Sequence, residues 1–135
     1  MTEHPIVHWY AYMKSHDVAG LDDMLADDAV FESPVVFTPQ RGKPLVKAYL
    51  SAAAHVLGGS GFTYVGEWRG DNSAILEFEQ EMDGIKVNGI DMIWWNEDQK
   101  IVRFKVMVRP LQAVNMLHRK MGEMLAGMKK EQTTG

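Results

Sequence analysis

The spacing of apolar residues switches twice along this chain, and those switches decide its fold class. Up to Gly58-Gly59-Ser60-Gly61, apolar residues recur every three or four positions. From Phe62 to Val108 they recur every second position, and after Pro110 the longer spacing returns. The first period is that of a helix with one buried face, the second that of a strand with one buried face. Helices followed by consecutive strands joined by short turns predict an α+β domain, with helices laid against one face of a curved antiparallel sheet.

In the first region, Ile6, Trp9, Tyr10 and Met13 form the stripe of a helix opened by Pro5, and Asp17 is placed to cap a second helix holding Leu21, Met24 and Leu25. Ala29 to Ser33 reads as a strand stopped by Pro34, and Val35 to Gly42 as a loop. A third helix is expected from Pro44 to about Leu57, burying Leu45, Tyr49, Ala52, Ala53 and Val56. The alternating region then divides into strands over 62–68, 73–82, 85–95 and 101–108. Gly70-Asp71-Asn72, Asp83-Gly84 and Asn96 to Gln99 are the turns between them. A last helix, about 111–128, carries Leu111, Val114, Leu117, Met121, Met124 and Met128, with 129–135 read as a frayed end. That methionine-rich stripe suits either packing on the domain or a dimer mate, or an adaptable lid over a hydrophobic ligand.

With 135 residues, 46% of them hydrophobic and 24% charged, one domain of residues 1–135 is expected. A formal net charge of -4 without a basic face argues against a nucleic-acid binder. The chain has no cysteine, which excludes disulfides, thiolate nucleophiles and cysteine-held metals. Met1 to Pro5 does not open a signal peptide, and no apolar run approaches the roughly 20 residues of a membrane span, so a cytoplasmic protein is the expectation. His4 and His8 stand one helical turn apart but have no third ligand nearby in sequence. His16-Asp17 reads as a helix junction first and an acid–base pair second.

Asp91 is the residue that points to a site. It lies inside Gly89-Ile90-Asp91-Met92-Ile93-Trp94-Trp95, a strand pattern with apolar neighbours on both sides, and shares a face with Gly89, Ile93 and Trp95. A carboxyl group there must pair, hydrogen-bond or hold its proton.

Several segments together resemble the nuclear transport factor 2-like superfamily, which includes the polyketide cyclase-like (SnoaL-like) proteins and the ketosteroid isomerases. They are Leu21 with Met24-Leu25-Ala26-Asp27-Asp28-Ala29 through Ser33-Pro34, Gly42 opening a helix, Val87-Asn88-Gly89-Ile90-Asp91, and Lys100-Ile101. The resemblance runs from about residue 5 to 110. It implies a cystatin-like cone, a bent antiparallel sheet wrapped by helices around an interior pocket, often dimerised through the outer sheet face. It places Asp91 where the isomerases keep a protonated aspartate that donates a hydrogen bond. Their general-base aspartate falls on Ser33, their oxyanion tyrosine on Trp9, and two supporting tyrosines on Leu25 and Leu50. Serine is a poor base and leucine donates nothing, so steroid isomerisation is not expected.

In the register implied by the resemblance, Trp9, Phe31, Ser33, Leu76, Phe78, Asp91, Ile93, Phe104, Val106 and Val108 face the interior, an apolar lining with few polar groups. Asp91 and Ser33 are the candidate catalytic residues and the others the candidate substrate contacts, with Trp9 able to donate through its ring nitrogen. The competing reading has Asp91 satisfied by Trp9 or a water in a small core. Arg109 alternates to the outside, where it can answer Glu77, Glu79 and Glu81, unless a bulge before Pro110 turns it inward. The expectation is thus a homodimeric, cofactor-free cone that binds a small hydrophobic molecule and acts, if at all, by isomerisation, cyclisation, dehydration or hydrolysis. The alternative is a non-catalytic association module.

Overall fold

Pairing between strands builds the scaffold. A computed structural model describes residues 4–134, with side chains described through Met128. Its elements are α1 (Pro5–Ser15), α2 (Val18–Met24), β1 (Leu25–Glu32), β2 (Gln40–Arg41), α3 (Lys43–Leu57), β3 (Thr63–Arg69), β4 (Ser73–Met82), β5 (Ile85–Trp95), β6 (Ile101–Arg109) and α4 (Leu111–Thr134). The sheet order is β2-β1-β6-β5-β4-β3. β3 to β6 form the expected antiparallel meander. Asp83 and Gly84 both have positive φ (53° and 77°), the conformation that a two-residue hairpin turn requires. Register shifts at Tyr64/Gly66, Trp94/Trp95 and Leu25/Val30 accompany the curvature of this open sheet.

Three details differ from the sequence reading. β1 starts at Leu25 instead of Ala29 and runs parallel to β6, so the sheet is mixed. Exposed Asp27 and Asp28 break its alternation and hide its first half. Gln40–Arg41, expected within a loop, pairs with Phe31 and Val30 as a short edge strand. On α3 the core-facing row is Val46, Leu50, Ala54 and Leu57, with Ser51 and Ala52 beside it, while Leu45 is exposed. Two apolar rows lie about 100° apart on that helix, and periodicity alone does not say which of them faces the sheet. The backbone of α4 runs to Thr134. The reading of Met1 to Glu3 lies outside the described residues.

Helix starts follow capping chemistry. His4 Nδ1 accepts from the Ile6 amide at 3.2 Å, with Pro5 in the first turn, and Asp17 Oδ1 accepts from the Ala19 amide at 3.2 Å. His4 and Asp17 are thereby occupied as caps. Among the described residues no group of three His, Asp or Glu side chains is placed to hold a metal ion.

The core lies between the inner sheet face and the helices. On β4, Ala74, Leu76, Phe78 and Gln80 point inward; on β5, Val87, Gly89, Asp91, Ile93 and Trp95 do so. Gln80 is buried, and its Nε2 donates to the carbonyl of Leu57 at 2.8 Å, tying the end of α3 to the sheet. Gly89 leaves room for the Phe78 ring: a Cβ there would lie 2.5 Å from Phe78 Cζ and 2.6 Å from the Met107 carbonyl oxygen. Gly89→Ala is therefore expected to lower unfolding stability by about 1–3 kcal/mol through overpacking. Gly122→Ala, on α4 with open space around it, is expected to be neutral or to stabilise by up to about 1 kcal/mol. Urea unfolding of the two variants checks the pair; equal stabilities would refute the close packing at Gly89.

Candidate active site

β5 delivers Asp91 to the interior through its register with both neighbours, opposite Leu76 on β4 and Val106 on β6. Both partners are apolar and buried, and Asp91 itself is 6% exposed. Among the described residues no charged side chain compensates it. Its hydrogen bond comes from Tyr64 on β3, whose hydroxyl donates to Asp91 Oδ2 at 2.6 Å. Tyr64 in turn accepts from the indole nitrogen of Trp9 on α1 at 2.8 Å. Tyr64 is half-buried, and its hydroxyl lies against the carboxyl group. Tyr10, Phe62 and Phe78 hold the ring, with centroid separations of 5.3, 5.0 and 6.4 Å.

The electrostatics follow from this arrangement. Burial raises the Asp91 pKa to about 7, and the hydrogen bond from Tyr64 offsets only part of that rise. Burial and the adjacent carboxyl group push the Tyr64 phenol well above its ordinary range, so Tyr64 remains a proton donor. Further out, Tyr10 donates to Glu67 Oε1 at 2.7 Å and Arg69 Nε donates to Glu67 Oε2 at 2.6 Å. Those two donors hold the Glu67 carboxyl below its ordinary value.

Asp91 lines a narrow cavity between sheet and helices. Its other walls are Phe31, Ser33, Phe78, Phe104 and Val106 from the sheet side, Trp9 and Met13 from α1, Leu50 and Leu57 from α3, and Leu117 and Met121 from α4. About 40 Å³ is open to the centre of a water-sized sphere, within about 580 Å³ of non-atom space that extends to the mouth. The smaller figure measures what fits without movement: a few waters, not a ring-sized molecule. Met13 and Met121 are the adaptable parts of that wall. Ser33 Oγ accepts from the Val35 amide at 3.1 Å, which leaves its hydroxyl proton free to turn.

Seven of the sequence-expected interior residues share this cavity: Trp9, Phe31, Ser33, Phe78, Asp91, Phe104 and Val106. Leu76 and Ile93 are buried in the core instead, and Val108 packs against it; none of the three lines the cavity. Arg109 lies on the outside. The β5–β6 register runs unbroken from Asn88↔Arg109 to Trp94↔Arg103, so no bulge turns it inward, and its Nε donates to Asn88 Oδ1 at 3.0 Å. Within the one chain, the β6 cations and Glu77 have other partners among the described residues. Glu32 of β1 takes Arg103 and Lys105, and Glu77 accepts from Asn88. Trp9 donates to Tyr64, not directly to Asp91. Tyr64 was missed because contact between an edge strand and Asp91 depends on two successive registers and a bulge. An aromatic at the second position of the strand preceding the glutamate-rich one was its only signal.

A neutral carboxyl in the core makes folding pH-dependent with a defined sign. Because the folded-state pKa lies above the unfolded value, the folded state binds more protons between about 4 and about 7, so stability falls as pH rises through that window. The difference in unfolding free energy between wild type and Asp91→Asn, which cannot ionise, should shift in favour of the variant across it. The shift should be at most about 4 kcal/mol. Denaturant unfolding at pH 4 and pH 8 measures it; a constant difference would mean that Asp91 is not desolvated.

Comparison with known proteins agrees with this architecture. Residues 6–104 match the profile of the SnoaL-like domain. A steroid delta-isomerase from Pseudomonas aeruginosa is 32% identical, with 93% of this chain and 92% of that one superposed at a TM-score of 0.86. A protein with a cystatin-like fold from Silicibacter pomeroyi is 26% identical over 88% of this chain and 83% of that one, at a TM-score of 0.81. The epoxide hydrolase/cyclase-like enzyme SalBIII of salinomycin pyran-ring formation shares the fold at 16% identity and a TM-score of 0.63, over 78% of this chain and 88% of that one. No curated protein sequence matches significantly. The profile match, the cystatin-like topology and the 32% identity show that this chain belongs to the SnoaL-like domain family.

Proposed function

We propose that this protein binds a small, largely apolar molecule in the cavity beneath α4, and that Asp91 addresses the molecule's one carbonyl or hydroxyl group. The observation that carries this reading is a carboxyl group buried among phenylalanines and aliphatic side chains at the wall of a hollow. Such a group is costly to keep unless it serves a partner. The isomerase and cyclase relatives make proton transfer to or from the bound molecule the matching chemistry. A carboxyl group titrating near 7 suits general acid or base work at neutral pH. Ser33 supplies a second hydrogen bond near the mouth. With serine at 33 and tryptophan at 9, the set of side chains differs from that expected for steroid isomerisation, so the substrate is a different carbonyl or epoxide compound. Leu117 and Met121 close the cavity from α4, which supports the lid reading of that helix.

Two variants test this. Asp91→Leu should reduce affinity for cyclohexanone about tenfold relative to cyclohexane, the effect of one hydrogen bond to an ionisable group, while circular dichroism stays native. Leu117→Trp should fill the hollow and remove binding of both probes. Retained discrimination in the first variant would exclude Asp91 as the contact.

A second reading, association through the outer sheet face, also has specific support. The outer rows carry Trp68, Ile75 and Met92 on one line and Ile90 and Met107 on the next. Trp68 is 57% exposed, its ring lying over Gly66, and Met107 is 46% exposed. Exposed apolar side chains clustered on one face are a sign of a covered surface. A homodimer through this face is compatible with the interior site. Sedimentation of wild type as a dimer and of Trp68→Lys, Met107→Lys as a monomer is the expected outcome; a monomeric wild type would remove this reading.

A further inference from the structure

The Trp9–Tyr64–Asp91 chain has a direction, and its direction governs what the cavity meets. An indole nitrogen only donates, so Trp9 necessarily occupies an acceptor site of the Tyr64 oxygen. The phenolic proton must then leave toward another acceptor. Asp91 Oδ2, at 2.6 Å, is its partner among the described residues. If the neutral carboxyl group instead carried its proton on Oδ2 and donated to Tyr64, the phenolic proton would be buried with no acceptor, at a cost comparable to a lost hydrogen bond. Oδ1, by contrast, receives no hydrogen bond from any described residue, and Asp91 lines the cavity.

We infer that Trp9 and Tyr64 are positioning residues that reserve Oδ2 as an acceptor and confine the carboxyl proton to Oδ1, the oxygen available to the cavity. Asp91 then offers the cavity one hydrogen-bonding atom whose sense inverts with pH, beside the Ser33 hydroxyl, whose charge does not change. Protonated, Oδ1 donates to a ligand that accepts, such as a ketone or an epoxide. Ionised, it accepts from a ligand that donates. The groups facing Asp91 are Tyr64 and, behind it, Tyr10 and Glu67 on the far side of the phenol. α1 contributes Trp9, and β4 and β6 contribute only Leu76 and Val106. Among the described residues no other charged side chain lines the cavity, so the inversion belongs to one group. The ligand selection rests on the binding reading proposed above. The location of the proton does not.

Two readouts separate them. The first needs no ligand: infrared difference spectra between wild type and Asp91→Asn at pH 5 isolate the C=O stretch of the neutral carboxyl group. With Oδ2 as the carbonyl oxygen accepting from Tyr64, Tyr64→Phe should move that band to higher frequency. Trp9→Phe, which frees the phenol to accept in a second orientation, should broaden it or move it part of the way. A band unmoved in Tyr64→Phe would place the proton on Oδ2 and overturn the ordering. The second readout compares cyclopentanone, which only accepts, with pyrrole, whose N–H only donates, by chemical-shift titration from pH 5 to 9. Cyclopentanone should lose up to about tenfold in affinity per pH unit above the carboxyl midpoint, and pyrrole should lose the same per unit below it. Identical pH profiles for the two probes would overturn the selection. Failure of both to bind would refute the binding reading and with it the selection, and the infrared band would still decide the ordering.

Discussion

Desolvation of one carboxyl group is the constraint around which this structure is arranged. The alternation of β5 sends Asp91 inward with Gly89, Ile93 and Trp95, and the flanking strands meet it with Leu76 and Val106. A group in that position cannot be left to its own devices, because an unpartnered polar atom in an apolar interior costs more than most single contacts return. The fold answers with a phenol from the edge strand, oriented by an indole from the first helix. The answer is partial. One carboxyl oxygen is satisfied and the other is left for the hollow.

That incompleteness is the basis of the binding role proposed for the cavity. A core evolved only for stability would fill the space beside Asp91 or replace the group with a leucine. Here the same helices that bury the inner sheet face also stop short of filling it. α3 contributes Leu50 and Leu57 to the cavity wall, and α4 contributes Leu117 and Met121. The cavity is slender as it stands, so entry of a ring-sized molecule requires the methionine-bearing wall to shift, at the low energetic cost expected of unbranched side chains. The chain belongs to the SnoaL-like domain family, and a steroid delta-isomerase from Pseudomonas aeruginosa shares its fold at 32% identity.

Much of the architecture was legible in the sequence because it depends on local periodicity. The meander from Phe62 to Val108, the Asp83-Gly84 hairpin, the Asp17 cap and the inward face of β5 all follow from residues within a few positions of one another. Asp91 stood out for the same reason. What depended on long-range registration did not. The parallel pairing of β1 with β6 was hidden by Asp27-Asp28, and the choice between two apolar rows on α3 is made by the sheet, not by the helix. Tyr64 belongs to this second group. Its partnership with Asp91 spans β3, β4 and β5, and no spacing within a single segment announces it.

The central claim is that Asp91 is a desolvated carboxyl group facing a hollow, and its own titration tests this most directly. Carbon-13 labelling of aspartate, with the Asp91 carboxyl resonance assigned by its loss in Asp91→Asn, follows the group from pH 3 to pH 9. The account expects a midpoint near 7. A midpoint close to 3.8, the ordinary aspartate value, would show a solvated side chain and contradict it.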